Sequence, residues 1–142
     1  MKIKKYLDVS PVFAINSAYE NLIAGVNQSL KEDGLNLLQG LVLTSLFFED
    51  GEEVSPSDLA KVLKTTRSNI SHIVSSLEYR NLIKRTLHPK DARQYILSLR
   101  PDGRRKALSL IKFFDKLQND CEKTLGKTTC EDVARGIHKL TI

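Results

Sequence analysis

Tryptophan is absent from this 142-residue chain, and four tyrosines and five phenylalanines are its only aromatic residues, so the sequence advertises no large aromatic-lined pocket. Two cysteines, Cys121 and Cys130, cannot build a disulfide framework. The most apolar stretch, LVLTSLFF, falls far short of the ~20 residues that span a bilayer. The opening MKIKKYLDVSPVF starts basic but lacks the apolar segment and small-residue cleavage site of a secretory signal. A cytoplasmic protein with no membrane partner is expected. The sequence also lacks a nucleophile–base pair and a glycine-rich phosphate loop, and His72, His88 and His138 lie too far apart along the chain for a metal site. No enzyme, cofactor or metal is expected.

Acidic residues are missing from one particular place. From residue 1 to 62 the chain carries five Lys/Arg and nine Asp/Glu; from 63 to 77 it carries two and none; from 78 to 106, nine and three; beyond that, six and five. The net charge of +5 therefore comes from the middle of the chain. A confined basic surface fits a polyanionic partner, although a basic stretch taken alone is more often a solvated face.

What is present is mostly helix. Between Pro11 and Lys31, Tyr19, Leu22, Ile23, Val26 and Leu30 recur at helical spacing, and Gly34 in EDG offers a stop. Residues 35–48 form a second helix, apolar on most faces and so central. In VSPSDLAKVL, Ser55 is the N-cap, Pro56 the first helical residue and Asp58 the acid of the first turn. After KTT, Thr66 caps a helix over 67–80 with Ile70, Ile73, Val74 and Leu77 turned inward. Asn81 occupies the left-handed exit. Two apolar-leaning runs, 82–87 and 95–99, flank a polar tip at 88–94 and predict a β-hairpin. A long amphipathic helix starts at Pro101, with Ala107, Leu110, Ile111, Phe114, Leu117, Cys121 and Leu125 on one face; GKT breaks it, and Thr128 or Thr129 caps a last short helix.

The fold class is mainly α with a small β-hairpin wing. A short helix, a tight turn, a second helix and a basic hairpin make a winged helix–turn–helix, whose second helix enters the DNA major groove. The outer face of that helix carries Thr66, Arg67, Ser68, Asn69, Ser71, His72 and Ser75, short hydrogen-bonding groups and one cation. Arg67 suits guanine or phosphate and Asn69 suits adenine. The wing, 84–98, carries Lys84, Arg85, Lys90 and Arg93, cations suited to the backbone or a narrow minor groove. Asp91 repels phosphate; it either orients a cation, with Arg93 nearest, or occupies an ordinary turn position.

From Gly34 to Leu108 the chain resembles the MarR family of transcription regulators. The resemblance rests on SDLAKVLKTTRSNISHIVSSLEYRNLIKR, the DAR of the wing, and LSLRPDG. Two positions depart from the family pattern: Asn81 replaces the usual glycine before the wing, and Arg100 replaces the threonine that caps the next helix. The resemblance implies a single domain over 1–142, with the winged helix–turn–helix at 35–100 and helical dimerisation regions at 1–34 and 101–142. It implies a homodimer reading an inverted-repeat operator in double-stranded DNA, action as a repressor, and release by a small aromatic or anionic effector. The apolar ends of the chain, from Phe13 and Ile15 to Val133, Ile137 and Leu140, agree with a dimer, though such residues are as often plain core. Two alternatives stay open. One is a redox-sensing regulator, for which Cys130 in a first helical turn is the candidate, Cys121 being placed in the core. The other is a winged-helix module that binds an acidic protein instead of DNA.

Overall fold

The computed structural model describes residues 1–140. Its elements run α1 (Lys2–Asp8), α2 (Pro11–Lys31), α3 (Leu37–Phe48), α4 (Pro56–Val62), α5 (Arg67–Tyr79), β1 (Ile83–His88), β2 (Asp91–Leu99), α6 (Pro101–Leu125) and α7 (Lys127–Leu140). The sequence pattern does not announce α1, a seven-residue helix that buries no side chain. It also places the start of α3 two residues early. Asn36 stays extended and accepts from Gln39 N while the Gln39 side chain accepts from Asn36 N, closing a capping box ahead of the apolar run. The final helix starts at Lys127, directly after Gly126, whose φ of +82° lets the chain turn out of α6.

The core is built where the apolar stripes of α3, α5 and α6 meet the base of the hairpin. Val42, Leu43, Ile70, Val74, Leu77, Ile83, Leu97, Ala107 and Leu110 are all buried there. α3 touches α2, α5, α6 and β2, the central placement that its apolar sequence requires. α2 contributes only Val26 and Leu30 to this core; Tyr19 and Leu22, on the same expected stripe, are exposed. Along α6 the stripe fades in the same way, from buried Ala107 and Leu110 to exposed Cys121 and Leu125, so the expected core position of Cys121 is corrected.

The hairpin is antiparallel, with Ile83 opposite Leu99 and Leu87 opposite Tyr95; a register shift after Leu87 pairs His88 with Asp91. β2 thus starts four residues earlier than the apolar pattern announces, and the tip shrinks to residues 89 and 90. Val54, just before α4, bridges Leu97 as a third partner, with Leu97 N donating to Val54 O at 2.8 Å. Wing and helix–turn–helix are therefore joined through the backbone as well as through the core.

One close approach fixes the wing against α6. Arg100 N donates to Leu82 O at 2.9 Å, and Pro101 opens α6 without any side-chain cap, as the poor capping chemistry of Arg100 foretells. The chain then brings Gly103 so near that a Cβ there would lie 1.9 Å from Leu82 O. The guanidinium of Arg100 turns to Ile83 O at 3.4 Å.

Candidate nucleic-acid interface

The helix–turn–helix is set by two N-caps. Ser55 Oγ accepts from Asp58 N at 3.2 Å, and the Asp58 carboxylate accepts from Ser55 N and Oγ at 2.9 and 2.6 Å. These bonds, led by the Ser55 hydroxyl, hold the Asp58 carboxyl below its usual pKa. The turn bends at Lys64, in the left-handed region with φ +51°. Thr66 Oγ1 then accepts from Asn69 N at 3.1 Å and starts α5.

Helical geometry divides the exposed side of α5 into three strips. Buried Ile70, Val74 and Leu77 set the inner face. Opposite them, Ser68, His72, Ser75 and Tyr79 form the outer crest, and Tyr79 is 90% exposed. Arg67 and Ser71 lie on the flank toward the wing. Asn69 lies on the other flank, toward α2 and α3; its Nδ2 donates to Thr65 Oγ1 at 3.1 Å, and His72 leans to the same side. The sequence pattern alone groups Asn69 with Arg67, but the structure separates them across the crest.

On the wing flank a groove of about 530 Å³ opens between the start of α4, α5 and the hairpin. It gathers Ser55 and Ser57, Arg67 and Ser71, and Arg85, Arg93, Gln94 and Tyr95 from the wing. Three arginines from three places in the sequence thus share one concave surface. Among the described residues, Asp58 is the one carboxylate on its wall, and it is already engaged in the α4 cap. Arg85 is partly held: its Nε donates to Glu78 at 2.7 Å and its guanidinium lies 5.7 Å from the Tyr95 ring centre. Arg67 and Arg93 make no ion pair among the described residues.

Asp91 does not hold the guanidinium of Arg93. Its Oδ1 accepts from Arg93 N at 3.0 Å and its Oδ2 from Gln94 Nε2 at 3.1 Å, so it fastens the irregular start of β2. These are the bonds of an ordinary turn aspartate, and the Arg93 side chain lines the groove with Arg67 and Arg85. At the other side of the tip, His88 Nδ1 accepts from Lys90 N at 3.1 Å, and His88 Nε2 meets Glu53 at 3.0 Å, tying the wing to the loop before α4. Lys84 and Lys90 are exposed. Four groove or crest residues do not stand out in the sequence: Ser57, Tyr79, Gln94 and Tyr95. Tyr79 is legible in principle, since it follows Ser75 at i+4; the others need the register of the hairpin.

Residues 33–94 match the model of the MarR family. The chain is also 30% identical over 112 residues, 78% of its own length and 76% of the relative's, to the uncharacterized HTH-type transcriptional regulator YdcH of Bacillus subtilis. The chain belongs to the MarR family. It is a MarR-family transcription regulator with a DNA-binding winged helix. A second relative, the HTH-type transcriptional regulator PrsX of Escherichia coli, is 35% identical over 78 residues, 55% of this chain and 47% of PrsX. Among solved structures, the S. aureus MepR–DNA complex shares the fold with a TM-score of 0.85 at 20% identity, over 93% of this chain and 96% of that one. MarR from Oenococcus oeni shares it at 0.78 and 18% identity, over 90% and 96%. The winged helix of this MarR-family chain is the part that the matched residues cover most fully.

The cysteine alternative rests on Cys130, which is partly exposed. Cys130 does fall in the first turn of α7, but burial pushes its thiol pKa up, and Cys121, Glu122 and Glu131 add to the rise. That direction is opposite to the lowering that activates a thiol.

Proposed function

We propose that the chain acts as a homodimer whose two winged domains bind successive half-sites of an inverted repeat and repress transcription from it. The single observation that carries this reading is the convergence of Arg67, Arg85 and Arg93 on one groove beside the exposed crest of α5. The crest of Ser68, His72, Ser75 and Tyr79 enters the major groove, where short side chains allow close approach to base edges. Arg67 and Arg93 neutralise phosphates at its border, and Lys84, Arg85 and Lys90 extend that contact along the wing. Asn69, turned toward α2, contributes at the edge of the crest and not at its centre.

Residues 35–100 serve as the DNA-binding part and the outer helices as the dimerisation part. In support, α1 and α7 bury no side chain within the chain. An apolar groove of about 500 Å³ between α2 and α7, lined by Ala14, Ile15, Ala18, Val133 and Leu140, is open to a second copy. Two recognition helices then stand about 34–36 Å apart, or a multiple of it.

A small aromatic or anionic effector fits a second groove of about 500 Å³, where Tyr19, Ile23, Leu37, Leu41, Asn69 and His72 bring α2, α3 and α5 together. A ligand there touches both the dimerisation helix and the recognition helix, so it favours one spacing of the two over another. Selection of bound duplexes from a random pool tests the whole reading. An inverted repeat with a fixed centre-to-centre distance is the expected result. Recovery of no common sequence, with capture of acidic proteins instead, overturns it in favour of a protein-binding module.

A further inference from the structure

The C-terminal end of α5 is held by a residue outside the DNA-facing surface. Arg80, the residue that caps α5, reaches across to the loop after α2. Its Nη1 donates to Gly34 O at 2.8 Å and its Nη2 to Asp33 O at 2.6 Å. Lys106 of α6 closes on the same loop, with Nζ donating to Asp33 Oδ1 at 2.5 Å. One turn earlier in α5, Ser76 Oγ accepts from Gln39 Nε2 at 3.2 Å, and Gln39 belongs to the capping box of α3. The recognition helix is thus bonded at its end to the joint between α2 and α3, and α2 is the helix that leads to the dimerisation region.

The geometry points to Arg80 as a positioning residue that fixes the pitch of the recognition helix against α2 and so sets the half-site spacing that the dimer accepts. The inference rests on the dimeric DNA-binding function proposed above. A guanidinium suits the task because its planar fork donates to two neighbouring carbonyls in one orientation, whereas a lysine ammonium on a flexible stem defines no such plane. Arg80 also places a cation at the negative end of the α5 dipole, so its loss lowers stability as well. Stability alone therefore cannot test the role; spacing can.

The experiment uses the full chain and an inverted repeat obtained from the random pool with wild-type protein. Affinity is measured for that duplex and for duplexes with one base pair inserted or removed at its centre, each changing the half-site separation by about 3.4 Å and rotating it by about 34°. Wild type is expected to prefer the selected spacing by about tenfold or more, within the range that one mismatched position produces. For Arg80→Met the preference is expected to fall to about threefold or less with an unchanged salt slope, and for Arg80→Lys to lie between. If Arg80→Lys, which keeps the charge and the fold, retains full wild-type discrimination, the inference is overturned, whether or not Arg80→Met folds. If wild type selects no inverted repeat, the proposed function fails and the inference fails with it; the two failures are thereby told apart.

Discussion

Gly103→Ala is the smallest substitution that should visibly damage this molecule. The added methyl would sit 1.9 Å from the carbonyl oxygen of Leu82 and 2.8 Å from its carbonyl carbon, both backbone atoms. Neither side can yield cheaply. Leu82 and Ile83 are buried, and Leu82 O already accepts from Arg100 N at 2.9 Å. Relief requires the start of α6 and the base of the wing to move apart, and overpacking of a tight core costs about 1–3 kcal/mol, occasionally more. At roughly 2–4 °C per kcal/mol for a chain near this size, Tm should fall by about 2–12 °C at fixed protein concentration. Gly25→Ala is the matched control: nothing lies within 4 Å of a Cβ there, and an exposed helical alanine should instead add about 0.5–1 kcal/mol. Because the strained approach lies under the wing, Gly103→Ala should also weaken DNA binding. Equal Tm values for wild type and Gly103→Ala would refute the packing argument.

Two further outcomes follow from titratable groups. The Asp58 carboxyl has a lowered pKa in the folded chain, so its stabilising effect is present above 3.8, its ordinary value, and is lost as the pH falls through the lower folded value. Urea midpoints of wild type and Asp58→Asn should therefore differ near neutral pH and converge below pH 3.8; a constant gap would contradict the capping role. Cys130 has a raised thiol pKa, so iodoacetamide at neutral pH should label it no faster than a free cysteine, and peroxide should release wild type and Cys130→Ser from DNA alike. Rapid, selective labelling would favour the redox reading instead.

The local signals in the sequence are strong where one residue does one job. Ser55, Pro56, Asp58, Thr66 and Asn81 each act through the adjacent backbone, and each takes the expected position. Signals that depend on distant partners are weaker. Asn36 caps α3 only because Gln39 reciprocates, and the apolar Leu35 ahead of it, itself buried, obscures the boundary. The start of β2 is polar, so no alternation announces it; the side chain of Asp91 and the cross-strand ladder hold it. Asn69 and Arg67 look alike in sequence because both precede the core stripe, yet they fall on opposite flanks of α5. The groove that unites Arg67, Arg85 and Arg93 is not readable at all, since it exists only once the hairpin folds back against α4 and α5.

The central claim is that the shared arginine groove meets the phosphate backbone. Fluorescence anisotropy on a selected duplex, titrated at rising salt with wild type and Arg93→Ala, tests it most directly. Log K should fall linearly with log salt, and Arg93→Ala should flatten the slope by about 0.9 for each phosphate no longer neutralised, or about twice that for a dimer. A wild-type affinity indifferent to salt, or an Arg93→Ala slope identical to wild type, would contradict the account.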